Sequence, residues 1–417
     1  MKKMMLVAAL VAAVGFGCKK KNKEEGTGGG GSAEMGSGGM AGGSGSAAMA
    51  GGSGMAGGSG SAAAPAKPMT PDEIAKRFDQ CWGYFNDGKL DDMKGCFAAD
   101  GVQEAPGSGM PPNNGPDAIM AGIKGFKDAF PDMKGEGILQ IVSGHNIAAF
   151  TFVSGTNTGT MKTPMGDMPP TKAKVGMIMG QIVEIGDDGK AKHAWDFNDM
   201  GELMGQMKPD PKHPMRAAMD KSPMAKSVLI SKDDAAEKAN IETAKKVAEA
   251  FSKHDAKAFG DLLADDVKWS ESAMPKDTDK KTTVANAQAF WKAFSDAKIT
   301  PDKVFAAGDY VIATGSLDAT NDGDFKEMGL KKTGKHVSVP HIAAFNIKDG
   351  KVHGAWLVEN SMAMAMQLGM MPPPGAAPAG AGSGAGSAAK PDDKKPAGDK
   401  KDDKKPADKK PAADKKG

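Results

Sequence analysis

The strongest constraint on this chain is an internal duplication. "FNDGKLDDMKGCFAADGV" (85–102) is answered by "FSKHDAKAFGDLLADDV" (251–267), and "KDAFPDMK" (127–134) by "WKAFSDAK" (291–298). "DGKAKHAWDFNDMGELMGQM" (188–207) is answered by "DGKVHGAWLVENSMAMAMQLG" (349–369). Order and spacing are kept, so one unit of about 140 residues occurs twice, a domain length and not a solenoid repeat. Two domains plus extensions also suit a chain of 417 residues. The expected division is domain 1 at 70–207, a linker at 208–236 and domain 2 at 237–371.

Both units share one grammar. "TPDEIAKRFDQCWGYFN" opens the first, with Thr70 as N-cap and Pro71 in the first turn. Ile74, Phe78, Cys81, Trp82 and Phe85 fall on one face of this amphipathic helix. A short second helix follows, then a third around "DAIMAGIKGFKDAF". "GILQIVSGHNIAAFTFVSGT", "AKVGMIMGQIVEI" and "KAKHAWDF" alternate like antiparallel strands. "DDGK" and "KDGK" are hairpin turns in which Gly189 and Gly350 take positive φ. Helices first and a curved, mostly antiparallel sheet afterwards predict an α+β fold, with about three helices on each sheet.

The flanks have a different composition. "MKKMMLVAALVAAVGFGC" pairs a basic start with an apolar run of signal-peptide length, too short for a good membrane helix. It resembles a bacterial lipoprotein signal (1–18), with Cys18 as the lipidated residue; an ordinary secretory signal is the alternative. Residues 19–69 are rich in Gly, Ser, Ala and Met, and 372–417 in Lys, Asp, Pro and Ala. Neither holds enough apolar surface to offset ordering entropy, so a disordered tether and a disordered tail are expected. These features predict an exported envelope protein, anchored by lipid to a membrane, the outer one rather than the inner. Lys plus Arg number 54 and Asp plus Glu 52, a balance that gives no reason to expect a nucleic-acid partner.

The motifs that carry a family resemblance are "AFPD" (129–132), "TNTGT" (156–160), "MPPT" (168–171) and the run at 188–207. In the second unit they are "LADDV" (263–267), "TGK" (333–335) and the run at 349–369. Together they resemble the SnoaL-like polyketide cyclases of the nuclear-transport-factor-2-like superfamily. The resemblance implies two tandem cone-shaped domains. It also implies an aspartate on the last strand that acts as acid/base, removing the proton α to a carbonyl without metal or cofactor. The matching position is Asp196; Gln181 stands where family cyclases can carry a histidine, and Gln103 near a polar pocket position. Strand alternation would put Lys192, Ala194 and Asp196 on one face and His193, Trp195 and Phe197 on the other. Asp199 is the better N-cap for "MGELMGQM", which leaves Asp196 free. The second unit has Leu357 and Ala343 at the positions of Asp196 and Gln181, so it cannot run the same chemistry.

The remaining features are weaker. His145, His193, His341 and His353 lack metal-ligand spacing and read as satisfied or surface histidines. Met362, Met366 and Met370 follow helical spacing and read as core or pocket lining, with Cu(I) ligation as the alternative. Cys81 and Cys96 are either a disulfide or two buried thiols. Trp195 and Trp356, at equivalent positions, mark a face by which the two domains would pair within the chain as a pseudo-dimer. The leading functional expectation is binding of a small, mostly apolar or polyketide-like molecule in domain 1. A cofactor-independent cyclase or isomerase using Asp196 and a non-catalytic envelope scaffold are the alternatives.

Overall fold

The computed structural model describes residues 68–371 apart from 164, 165, 212, 327 and 328. The expected lipidation site Cys18, nearly all of the tether and the whole tail lie outside the described residues.

The first half opens with α1 (Pro71–Asp87), α2 (Leu90–Lys94), β1 (Phe97–Glu104), the two-residue β2 (Asn113–Asn114) and α3 (Gly115–Ala129). It continues with β3 (Lys134–Ser143), β4 (Asn146–Thr156), a small hairpin of β5 (Met161–Thr163) and β6 (Gly166–Met168), β7 (Lys174–Ile185), β8 (Ala191–Phe197) and α4 (Met200–Met207). β9 (Ser227–Ile230) follows within the segment expected to be only a linker. The second half repeats the order as α5 (Ala235–Ser252), α6 (Ala256–Asp261), β10 (Leu263–Glu271) and α7 (Lys280–Ala293). It ends with β11 (Lys298–Ala307), β12 (Tyr310–Thr320), β13 (His336–Lys348), β14 (Lys351–Glu359) and α8 (Ser361–Gln367).

Each half is therefore α+β. The first sheet runs β2-β1-β8-β7-β4-β3-β9 and the second β10-β14-β13-β12-β11. Most neighbours are antiparallel; β1 lies parallel to β8, β10 to β14 and β9 to β3. β1 and β10 depart from the expected order of helices first and sheet afterwards. Asp100 and Gly101 break the alternation of "FAADGVQE", and the register with β8 shifts between Phe97 and Val102. A Cβ on Gly101 would sit 2.9 Å from the Ala98 carbonyl oxygen, so the irregularity needs glycine.

Local signals explain the element ends. Thr70 accepts the Glu73 N–H while the Glu73 carboxylate takes the Thr70 N–H at 2.7 Å, a complete capping box. Two duplicated motifs turn out to be structural. Asn157 of "TNTGT" is buried and donates to the Ala129 carbonyl at 3.2 Å while accepting the Thr171 N–H at 2.8 Å. Asn321 does the same with Ala293 at 3.2 Å and Thr333 at 2.7 Å. Each amide ties the end of a helix to two loop segments.

One apolar cluster draws on both sheets: Ile178, Ile182 and Phe197 of the first pack with Ile312, Ile342 and Val358 of the second, Trp195 and Trp356 lying against them. Gly180 and Ile342 meet there; a Cβ on Gly180 would stand 2.3 Å from Ile342 Cγ2. By the strand pairings these two are equivalent positions, since Gln181 faces Asp196 as Ala343 faces Leu357. The small residue in one copy makes room for the large one in the other.

Candidate ligand site

Strand alternation gives the first sheet two apolar faces. On β7, Val175, Met177, Met179, Gln181 and Val183 point into a cavity enclosed by α1 and α3, while Ile178 and Ile182 face the second sheet. On β8, Ala191, Ala194 and Asp196 point into the cavity. Lys192 does not join them as expected. The β7–β8 register slips between Glu184 and Ile185, so Ala191 takes the inward place and Lys192 is exposed. The cavity measures about 290 Å³ and is walled mainly by Met, Phe, Val and Ala. That is near the lower edge of the ~300–1,000 Å³ usual for small-molecule sites.

Asp196, Gln181 and Gln103 come together in this cavity. Asp196 Oδ1 accepts from Gln181 Nε2 at 2.7 Å and Oδ2 from Gln103 Nε2 at 2.7 Å. Behind them, Trp82 Nε1 donates to Gln181 Oε1 at 3.2 Å and Asn113 Nδ2 to Gln103 Oε1 at 3.4 Å. Two relays of donors thus converge on one carboxylate. The backbone fixes both amides: Gln181 is the direct partner of Asp196 across β7–β8, and Gln103 pairs with Ala194 across β1–β8. Asp196 is 9% exposed. Burial raises its pKa above the ordinary carboxylate value, and the hydrogen bonds from Gln181 and Gln103 oppose that rise. Among the described residues no cation forms an ion pair with it.

The model of the SnoaL-like polyketide cyclases matches residues 72–207 and, a second time, 241–368. The chain belongs to that family. Solved structures to which the chain is similar include AclR of Streptomyces galilaeus, 23% identical, covering 33% of this chain and 85% of that one, with a TM-score of 0.30. IdmH of Streptomyces antibioticus is 21% identical over 31% of this chain and 98% of its own, TM-score 0.29. TsrD of Streptomyces laurentii is 18% identical over 33% and 100%, TM-score 0.30. No curated protein matches the chain.

The second SnoaL-like copy carries a different interior. Trp269 pairs with Ala355 on β10–β14 as Gln103 pairs with Ala194, so an indole replaces the amide. Ala343 and Leu357 complete the exchange. Trp269 packs against Phe259 and Phe345, with centroids 5.8 and 6.1 Å apart, and its Nε1 donates to Glu271 Oε1 at 2.6 Å.

Cys81 and Cys96 are joined as a disulfide, Cα atoms 6.1 Å apart, in the wall of the first SnoaL-like cavity. The histidines stay outside the Asp196 network. His193 bonds Glu104 at 2.8 Å and stacks on Trp195, and His353 bonds Asp266 at 2.9 Å. His145 stands 3.6 Å from Asp187 at the surface, and burial lowers the His341 pKa to about 4. Among the described residues no group of His, Cys, Asp or Glu is arranged to hold a metal ion. Met362 and Met366 pack with Met204 and Met207 of α4, but Met370 lies beyond the end of α8 and is 41% exposed.

Three features were not visible as a site in the sequence. Trp82 read only as part of an apolar helix face, and Asn113 carried no reading at all. Asn360, from the second copy, lines the first copy's cavity. Beside it Asp199 caps α4, its Oδ1 accepting from Gly201 N at 2.8 Å and Glu202 N at 3.2 Å. The same oxygen accepts from Ser361 Oγ at 2.6 Å, so one carboxylate joins the first turns of α4 and α8. Burial, together with nearby Asp199, pushes Glu202 up to about 9, and burial with nearby Glu271 and Asp199 pushes Glu359 up to about 8.

Proposed function

We propose that domain 1 binds a small, mostly apolar molecule with its polar end on Asp196, and that domain 2 is a degenerate copy retained as its structural partner. The observation that carries this reading is one buried carboxylate, fixed by two amides, in a mostly apolar cavity. Superfamily membership alone could not carry it, because one fold hosts many activities. Native mass spectrometry of the full chain tests the reading through the small molecules that co-purify with it. Wild-type protein should retain a ligand that is lost when the cavity is filled by Met179→Trp.

A second reading is a cofactor-independent cyclase or isomerase with Asp196 as the base. It is favoured by the desolvation that raises the Asp196 pKa, since a general base works best when its pKa approaches the working pH. Solvent deuterium should then enter the position α to a carbonyl of a bound ketone or ester. Asp196→Asn should abolish that exchange while leaving affinity largely intact.

The two domains are read as an intrachain pseudo-dimer. The whole body is read as an envelope lipoprotein held by acyl chains on Cys18. Metabolic labelling with a fatty acid checks the anchor: Cys18→Ser should lose both the label and membrane fractionation.

A further inference from the structure

We infer that the ligand of the domain 1 cavity is a hydrophobic cation, an apolar body ending in a protonated amine that meets Asp196. The inference rests on the proposal that this cavity binds a small molecule, and it specifies the chemical class.

The argument begins with acceptor capacity. A carboxylate offers about four lone-pair positions, and Asp196 uses two, one on each oxygen, for Gln181 and Gln103. In the ionised carboxylate the unused positions take donors, so a ligand ending in an anion would be repelled there. Among the described residues no cation pairs with Asp196. Arg77, the cationic residue in the cavity wall, directs three of its N–H groups to neutral acceptors away from it. Nε donates to the Gly189 carbonyl at 3.1 Å, Nη1 to Gln80 Oε1 at 2.8 Å and Nη2 to the Gly95 carbonyl at 2.8 Å. Glu104, the other carboxylate in the wall, is held by His193 at 2.8 Å.

A neutral donor such as an alcohol would satisfy the lone pairs but leave the charge unpaired. A cation satisfies both, and between mostly apolar walls the attraction is less screened than at the surface. The walls suit the rest of such a molecule. Trp82 and Phe126 present aromatic rings, whose faces attract cations, and Met177 and Met179 adapt to irregular apolar shapes. Any proton held by Asp196 in the empty cavity leaves to solvent when the ammonium group docks.

Three probes on one skeleton test this with the full chain: 4-phenylbutylamine, 4-phenylbutanol and 4-phenylbutyrate, titrated by calorimetry at neutral pH. The amine should bind about tenfold or more tighter than the alcohol, with the carboxylate weakest. Asp196→Asn should bring the amine down to the alcohol's level and leave the alcohol within about threefold. Asp196→Leu, the residue domain 2 carries at that position, should do the same, so the result does not depend on one variant folding. An alcohol that binds as tightly as the amine to wild type would overturn the cation while leaving the cavity a binding site. If none of the three binds and the cavity-filled Met179→Trp chain behaves identically, the binding proposal itself fails along with it.

Discussion

The two interiors of this molecule share a backbone plan but have opposite contents. In domain 1 the last strand and its neighbours aim Asp196, Gln181 and Gln103 at a common point. In domain 2 the same register positions hold Leu357, Ala343 and Trp269, and the indole packs among aromatic rings. Three side chains separate a polar-ended cavity from an apolar core. The fold tolerates both because its sheet is held by backbone pairing and by motifs such as Asn157 and Asn321, which do not touch the centre.

The most direct way to break the comparison is to write domain 2's residues into domain 1. Gln103→Trp, Gln181→Ala and Asp196→Leu together should abolish ligand binding, a loss of at least about 100-fold in affinity by calorimetry. Thermal stability should change little, because losing a buried carboxylate without a counter-ion is favourable while Trp82 Nε1 and Asn113 Nδ2 lose their acceptors. If the triple variant bound ligand as wild type does, the site would lie elsewhere.

The next effect concerns the junction where the halves meet. Glu202 titrates at about 9 and Glu359 at about 8 in the folded protein, both raised mainly by burial from an ordinary value of 4.5. The folded state therefore holds protons that the unfolded chain releases between about pH 4.5 and 8–9. Stability from these groups is complete below that window and is lost as pH rises through it, by up to about 1.4 kcal/mol per pH unit per group. Melting temperature should fall between pH 6 and pH 9, and Glu202→Gln should flatten the slope. A melting temperature that climbs across that range would contradict the assignment. Asp199, Asp196 and Glu271 are displaced in the same direction and add to the trend.

Much of the fold was legible because it rests on local signals that occur twice. Periodicity and turns gave the long helices and the main hairpins, and the Thr70 and Asp199 caps stand where their side chains suggested. β1 was not legible, because Asp100 and Gly101 interrupt its alternation, and its partners on β8 lie 91 or more residues downstream (193 − 102 = 91 for Val102 and His193). β9 was missed because "SVLI" is four residues set in a linker whose composition suggests no core. The face assignment of Lys192 failed at a bulge, which sequence alternation cannot register. At the site, the proximity of Gln181 to Asp196 follows from hairpin register and was legible in part. Trp82 and Asn113 were not, because their roles depend on how α1 and the β2 turn close over the sheet, a tertiary arrangement with no local signature.

The packing between the halves can be probed at Gly180. Its place against Ile342 leaves no room for a branched side chain. Gly180→Val should cost roughly 3 kcal/mol through overpacking, read as a lower denaturant midpoint. Ile342→Ala in the same chain should recover part of that loss, because the cavity it creates receives the new valine. No recovery would mean that the two positions are not coupled as their contact implies.

The smallest effect asks what duplication had to preserve. Asn157 and Asn321 make matching bonds, to the Ala129 and Ala293 carbonyls and from the Thr171 and Thr333 N–H groups. Each substitution to Ala removes the amide bonds to a carbonyl and an N–H. The Ala129 and Ala293 carbonyls keep the Gly159 and Gly323 N–H donors, so the cost should be about 1 kcal/mol per lost bond. The two losses should be similar in size, since the surroundings match, and should add, since they lie in separate domains. Neither should change affinity for the cavity's ligand by more than about threefold. Equal stability costs with unequal binding effects would show that the motif in domain 1 has been drawn into function. Equal costs with binding intact would place it with the scaffold that both copies need, and leave Asp196, Gln181 and Gln103 as the residues by which the two halves differ in purpose.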